Sequence, residues 1–201
     1  MHIPKQFEVT DINKVKQFIV ENNFGLLIST SDGDIYETFT PFVFDTEETH
    51  LIGHIARAND QWKSWATNSK IKVVFQGAHA YISPSYYASE FNVPTWNYAA
   101  VSVSGSLEIV GNEEEILTCM DQIVAAHETG DDAWVLDRND SRYTNLLSGI
   151  VMFKIKIQQT QAVSKMNQNK STEDKSSVSK HLRATGCPFE TAVAKEIDNA
   201  E

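Results

Sequence analysis

Apolar residues at Ile12, Val15, Phe18 and Ile19 recur at helical spacing behind Thr10 or Asp11 as a cap and ahead of Gly25, so a first helix is expected. The period then changes. GLLIST, SDGD and IYETFTPFVF read as strand, tight turn and strand, with Asp32-Gly33 as the hairpin signal. A second turn in DTEET leads to the strand HLIGHI, and ANDQWKSWATNSK reads as a short helix. IKVVFQG and HAYISP follow as two strands divided by Gly77. VPTWNYAAVSVSG opens a long strand through Val110, in which Val101 and Val103 alternate and Gly105 suits close packing. Asn112 then caps a helix with Glu113, Glu114 and Glu115 in its first turn, where carboxylates suit the helix dipole. Its apolar stripe is Ile116, Met120, Ile123 and Val124, with His127 following. RYTNLL reads as another short helix, and GIVMFKIKIQQTQAV as a final strand with Val151, Phe153, Ile155 and Ile157 alternating.

Six or seven strands with short turns and few helices predict a mainly β, α+β fold, a closed antiparallel barrel with peripheral helices. From Ser164 the texture turns polar, with SKHLRATG reading as a short helix ended by Gly186. The expected division is therefore a barrel domain over 1–158 and a polar C-terminal appendage over 159–201.

Charge sharpens this picture. The net charge is −10, and residues 1–158 hold 11 Lys plus Arg against 21 Asp plus Glu, whereas 159–201 holds 6 of each. No Lys or Arg occurs from Val73 to Asp137, so there is no basic stripe for a phosphate backbone to follow. Direct contact with nucleic acid is not expected. Cys119 and Cys187 lie far apart and without metal-ligand spacing, which suggests neither a disulfide framework nor a zinc site, and Cys119 reads as buried filler. Apolar runs are too short to span a membrane, and MHIPKQF lacks the features of a secretory leader, so a cytoplasmic protein is expected.

Two stretches suit ligand chemistry. HIARANDQW runs from a strand end into a helix start, and Arg57 there offers a planar fork of donors beside backbone N–H groups, a combination that suits a phosphate. A surface ion pair would explain the same arginine. FQGAHAYISPSYY places His79, Tyr81 and Ser83 on one strand face, either as polar tips in a ligand pocket or as the wet face of a sheet. The aromatics of VPTWNY read equally as core filler or as a ligand wall. No zinc signature completes His54 or His79, and no G-x-S-x-G, Walker A or G-x-G-x-x-G pattern stands at a strand-to-helix junction. Any catalysis would therefore draw on a cofactor.

Three segments, GHIARANDQWK, VVFQGAHAYISPSYY and VPTWNYAAVSVSG, together with MHIPKQF and NQNKSTEDK, resemble the PaiB-like FMN-binding negative transcriptional regulators over most of the chain. The resemblance implies an antiparallel split β-barrel of the pyridoxamine-phosphate-oxidase type, a homodimer binding FMN at the subunit interface. It implies that Arg57, with Ala56, Ala58 and Asn59, holds the flavin phosphate. Gln76, His79 and Tyr81 would lie near the cofactor, and Thr95, Trp96, Asn97 and Tyr98 would form its wall or the dimer contact. Lys165, with Gln168 and Asn169, would belong to a tail element closing the site. One departure stands out: where many relatives read Thr-His-Leu-Pro, this chain has Thr38-Phe39-Thr40-Pro41.

The first function this implies is a homodimeric flavoprotein with a regulatory role that does not contact DNA through a recognition helix. The second is an FMN-dependent oxidoreductase taking electrons from a small-molecule donor. A haem-binding split barrel using His54, His79, His127 or His181 is a third, and a barrel that has lost its cofactor and serves as a dimeric interaction module a fourth.

Overall fold

The turn Asp32-Gly33 carries positive φ at both positions, 54° and 92°, the handedness that lets two strands twist together across a two-residue loop. It joins β1 (Phe24–Ser31) to β2 (Asp34–Pro41) in antiparallel register from Phe24 opposite Pro41 to Ser31 opposite Asp34. This hairpin begins a mixed fold of one antiparallel sheet with peripheral helices, in a computed structural model that describes residues 1–65 and 70–200. The other strands are β3 (Val43–Phe44), β4 (His50–Ala56), β5 (Ile71–Ile82), β6 (Thr95–Ile109) and β7 (Ile150–Lys165). The strand order is β2-β1-β5-β6-β7-β4-β3. β1 pairs antiparallel with β5, β3 with β4, and β4 with β7.

The helices are α1 (Ile12–Glu21), α2 (Glu113–His127), α3 (Ser141–Leu147), α4 (Thr172–Ala184) and α5 (Pro188–Asn199). Asp11 caps α1 by accepting the Asn13 N–H at 2.9 Å, and Asn112 caps α2 through Glu115 at 3.1 Å. SKHLRATG falls in the second half of α4 and the turn after it, and α5 follows as a helix the polar texture hides. Of the stretch ANDQWKSWATNSK, Asp60–Ser64 is a short 3₁₀ turn, and residues 66–69 lie outside the described residues. No described helix is long and apolar enough to cross a membrane.

The chain divides into two units, one of Met1–Ile19, Gln76–Val101 and Gln161–Glu201, the other of Val20–Phe75 and Ser102–Thr160. In the first, Ala80, Ile82 and Ala99 of the strands pack with Met166, Val178, Leu182, Val193, Ala194 and Ile197. In the second, Val43, Ile52, Val110 and Met152 pack with Cys119 and Ile123 of α2. Gly77 does not divide two strands, contrary to expectation. Instead the buried positions of β5 shift from Ile71, Val73 and Phe75 to Ala80 and Ile82, so the strand changes buried side without ending. A glycine in a strand interior tolerates that bend.

Candidate functional site

In the second unit, β4 ends at Ala56 opposite Ile150, and the chain turns through Arg57, Ala58 and Asn59, closed by the Asn59 N–H donating to the Ala56 carbonyl at 2.9 Å. The Arg57 backbone N–H donates to Gly149 at 2.8 Å. Its guanidinium donates through Nε to the Ser148 carbonyl and through Nη2 to the Ile150 carbonyl, both at 2.8 Å. These bonds fix the plane of the fork and use two of its five N–H donors. Trp62 completes the mount: its Nε1 donates to the Arg57 carbonyl at 2.9 Å, and its ring lies 5.9 Å from the guanidinium carbon. Among the described residues no carboxylate pairs with Arg57, although surface carboxylates are plentiful. An exposed, oriented guanidinium with three N–H donors to spare fits an oxyanion such as a phosphate.

The turn is anchored from below by a polar group that the sequence did not single out. Gln61, 2% exposed, shares its Nε2 among the Leu27 carbonyl (3.3 Å), Ser29 Oγ (3.2 Å) and the Tyr36 carbonyl (3.2 Å). Ser64 Oγ donates to the Gln61 carbonyl at 2.6 Å and lies 3.0 Å from Ser29 Oγ. Asn59 accepts the Gln61 N–H and donates to Thr38 Oγ1 at 2.7 Å. The helix start expected here is thus a five-residue 3₁₀ turn whose capping function is taken by Asn59. The anion-binding potential of the segment therefore rests on Arg57.

Phe39, on β2, is exposed and stacks on Phe24 at 5.9 Å. His54 lies two residues before Ala56 with Nδ1 buried and unpartnered, and burial holds its imidazole below the usual value. Among the other imidazoles named for haem, His127 is engaged at both nitrogens, with the Ile123 carbonyl at 2.7 Å and Asn23 Nδ2 at 3.0 Å. His181 uses Nδ1 on the Ser177 carbonyl and stacks on Tyr86. Among the described residues no three His, Cys, Asp or Glu side chains gather as metal ligands would.

In the first unit, strand alternation brings His79 and Tyr81 of β5 against Trp96 of β6. The ring centroids lie 6.2 Å apart for His79 and Trp96 and 6.1 Å apart for Tyr81 and Trp96. Phe189, at the start of α5, adds a fourth ring 5.8 Å from His79. Tyr81 and Trp96 are 45% and 54% exposed, so these rings form an open aromatic shelf rather than core filler. His79 Nδ1 lies 3.2 Å from the Gly77 carbonyl and 3.3 Å from Gln76 Nε2; it satisfies the first as a donor or the second as an acceptor, according to its tautomer. Lys165 donates to the Thr95 hydroxyl. Tyr98 packs with Phe7, Ala100 and Val163, and Asn97 is wholly buried. Phe189 lies 110 positions from His79 in the sequence, and no local pattern announces that contact.

Comparison with known proteins supplies a family. Residues 1–159 match the family described as "Putative FMN-binding domain". The chain is 37% identical over 204 residues to the protease synthase and sporulation protein PAI 2 of Bacillus subtilis (strain 168), covering 99% of this chain and 97% of that protein. In structure it resembles the flavocytochrome Anf3 of Azotobacter vinelandii, with a TM-score of 0.63 at 12% identity over 81% of this chain and 72% of that one. It also resembles the FAD and heme binding protein of Mycobacterium smegmatis, with a TM-score of 0.58 at 10% identity over 79% and 73% of the two chains. At such identities the structural likeness speaks for the fold alone.

Proposed function

The chain belongs to the PaiB-like FMN-binding family of split-barrel proteins, and from that premise we propose that it is a homodimeric FMN protein with a regulatory role exerted without operator contact. The observation that carries this reading is the Arg57 guanidinium, fixed by two carbonyl oxygens and left with three N–H donors and no carboxylate partner among the described residues. A phosphate monoester is the ligand group this donor set fits best. Ala56 and Ala58 keep the turn free of bulk around it, and Asn59 ties the turn to β2 through Thr38. Taken within its own unit, the shelf of His79, Tyr81 and Trp96, with Gln76 at its edge, suits stacking with a flat aromatic ring. The flavin, when bound, supplies reversible two-electron chemistry. The residues of the chain orient it and set what can approach. A net charge of −10, with no Lys or Arg between Val73 and Asp137, argues against a phosphate-backbone footprint.

The exposed shelf also favours a second reading, an FMN-dependent oxidoreductase, because its rings leave room for a small electron donor to approach. One preparation tests both. Full-length protein is expected to purify yellow, to release FMN on heating and to elute at the mass of a dimer. Bleaching by NADH or NADPH with reoxidation by an acceptor selects the oxidoreductase; no bleaching with any donor selects the regulator. Colourless protein that fails to take up added FMN would remove the flavin assignment.

A further inference from the structure

Lys165 ends β7 with its ammonium on the Thr95 hydroxyl, and among the described residues no carboxylate pairs with it. A partly buried lysine without a counter-charge is a cost to the fold, and here burial pulls its ammonium below the usual lysine value. The ammonium is not carried on a loose segment. Gln168 accepts the Met166 N–H through Oε1 and donates through Nε2 to the Ser164 carbonyl, both at 2.7 Å, and Asn167 holds a left-handed φ of 61°. The strand that Lys165 reaches carries a second uncompensated group. Asn97, two residues beyond Thr95 and so on the same side of β6, is 0% exposed with neither Nδ2 nor Oδ1 partnered. Buried amides are ordinarily satisfied, and one with both ends free calls for a partner.

We propose that Lys165, Thr95 and Asn97 form a subsite for an oxyanion, the phosphate or carboxylate group of a small ligand. The ammonium supplies the charge, and the hydroxyl and the amide Nδ2 supply directional donors. The subsite draws on none of the Arg57 donors. This rests on the proposed assignment of the flavin phosphate to Arg57, so the anion taken here is that of a second, free small molecule.

The test is a titration of full-length protein, carbon-labelled at its lysine ε positions, with inorganic phosphate and separately with acetate, in FMN-free and FMN-loaded forms. A saturable shift of the Lys165 resonance, assigned by its absence in Lys165→Met, that appears in the loaded form and weakens at least about fivefold in affinity in Thr95→Val identifies a free oxyanion as the ligand. If only the FMN-free form responds, and Lys165→Met weakens FMN at least about fivefold while leaving riboflavin unchanged, the flavin's own phosphate fills the site, which overturns the second-ligand subsite and the Arg57 assignment together. No saturable response in either form overturns the subsite. Because the FMN-free titration needs no flavin, that failure stays distinct from a failure to bind FMN.

Discussion

The carboxylate of Asp174 accepts the backbone N–H of Ser89 at 3.0 Å and the Ser89 hydroxyl at 3.0 and 2.9 Å, clamping the loop after β5 to the first turn of α4 across 85 residues of chain. The Ser89 backbone N–H leads the donors that hold this carboxyl below its ordinary value of 3.8. A depressed carboxyl stabilises the fold fully above its unfolded value, and the contribution is lost as pH falls through the lower folded value. Asp174→Ala is therefore expected to cost about 1.5–3 kcal/mol at pH 7, from charge-assisted bonds lost and a donor stranded. The gap from wild type should shrink in urea titrations run below pH 3.8. Equal midpoints at pH 7 would show that the clamp carries no stability.

Arg57→Ala should weaken FMN by roughly ten- to a hundredfold, about 1.5–3 kcal/mol, and leave riboflavin affinity unchanged, because only the phosphate loses a charged donor. Arg57→Lys should fall between, since an ammonium lacks the two-carbonyl mount seen at Ser148 and Ile150. Flavin fluorescence titration reads both. An Arg57→Ala protein with wild-type FMN affinity removes the phosphate assignment.

Gly105 sits where a Cβ would meet the Lys156 carbonyl oxygen at 2.1 Å and Ile155 Cγ2 at 2.9 Å. The first of these is backbone and cannot swing aside. Gly105→Ala is expected to lose about 2 kcal/mol or more of stability. Gly111→Ala, whose Cβ would meet nothing within 4 Å, should stay within about 0.5 kcal/mol of wild type. Thermal melts of the two variants side by side decide this.

Burial holds the His54 imidazole below 6.5, so the unfolded chain takes up its proton first as the pH drops. This lowered value stabilises the fold fully above pH 6.5 and progressively less as pH falls through the folded value. Urea midpoints from pH 8 downward should decline below 6.5 in wild type and decline less steeply in His54→Leu. Parallel profiles would assign the slope to other groups.

Much of the fold was legible because it rests on local chemistry. Asp32-Gly33 announced its hairpin through residues that tolerate positive φ, and Asp11 and Asn112 announced their helices as caps. Gly77 misled because glycine marks a bend as readily as an end, and only the shift of buried positions along β5 distinguishes them. The helix α5 was missed although Pro188 suits a first helical turn and Val193, Ala194 and Ile197 follow at helical spacing, since the surrounding polar residues outweigh so short a stripe. Arg57 stands out by residue type as a donor suited to a phosphate, whereas its mount on the Ser148 and Ile150 carbonyls does not show in the sequence. Gln61, which anchors its turn through Leu27, Ser29 and Tyr36, and Phe189, which joins the shelf of His79, act through contacts of long separation that no window of sequence contains.

The pairing of β4 with β7 has a consequence for the order in which the protein acquires its ligand chemistry. The carbonyl oxygens that orient Arg57 belong to Ser148 and Ile150, the latter 93 residues further along the chain. During synthesis the guanidinium therefore has no mount until β7 has left the ribosome, and contacts of such long separation form late. A nascent or truncated chain ending before residue 148 would carry every residue of the Arg57 turn and still present a swinging cation in place of a fixed fork.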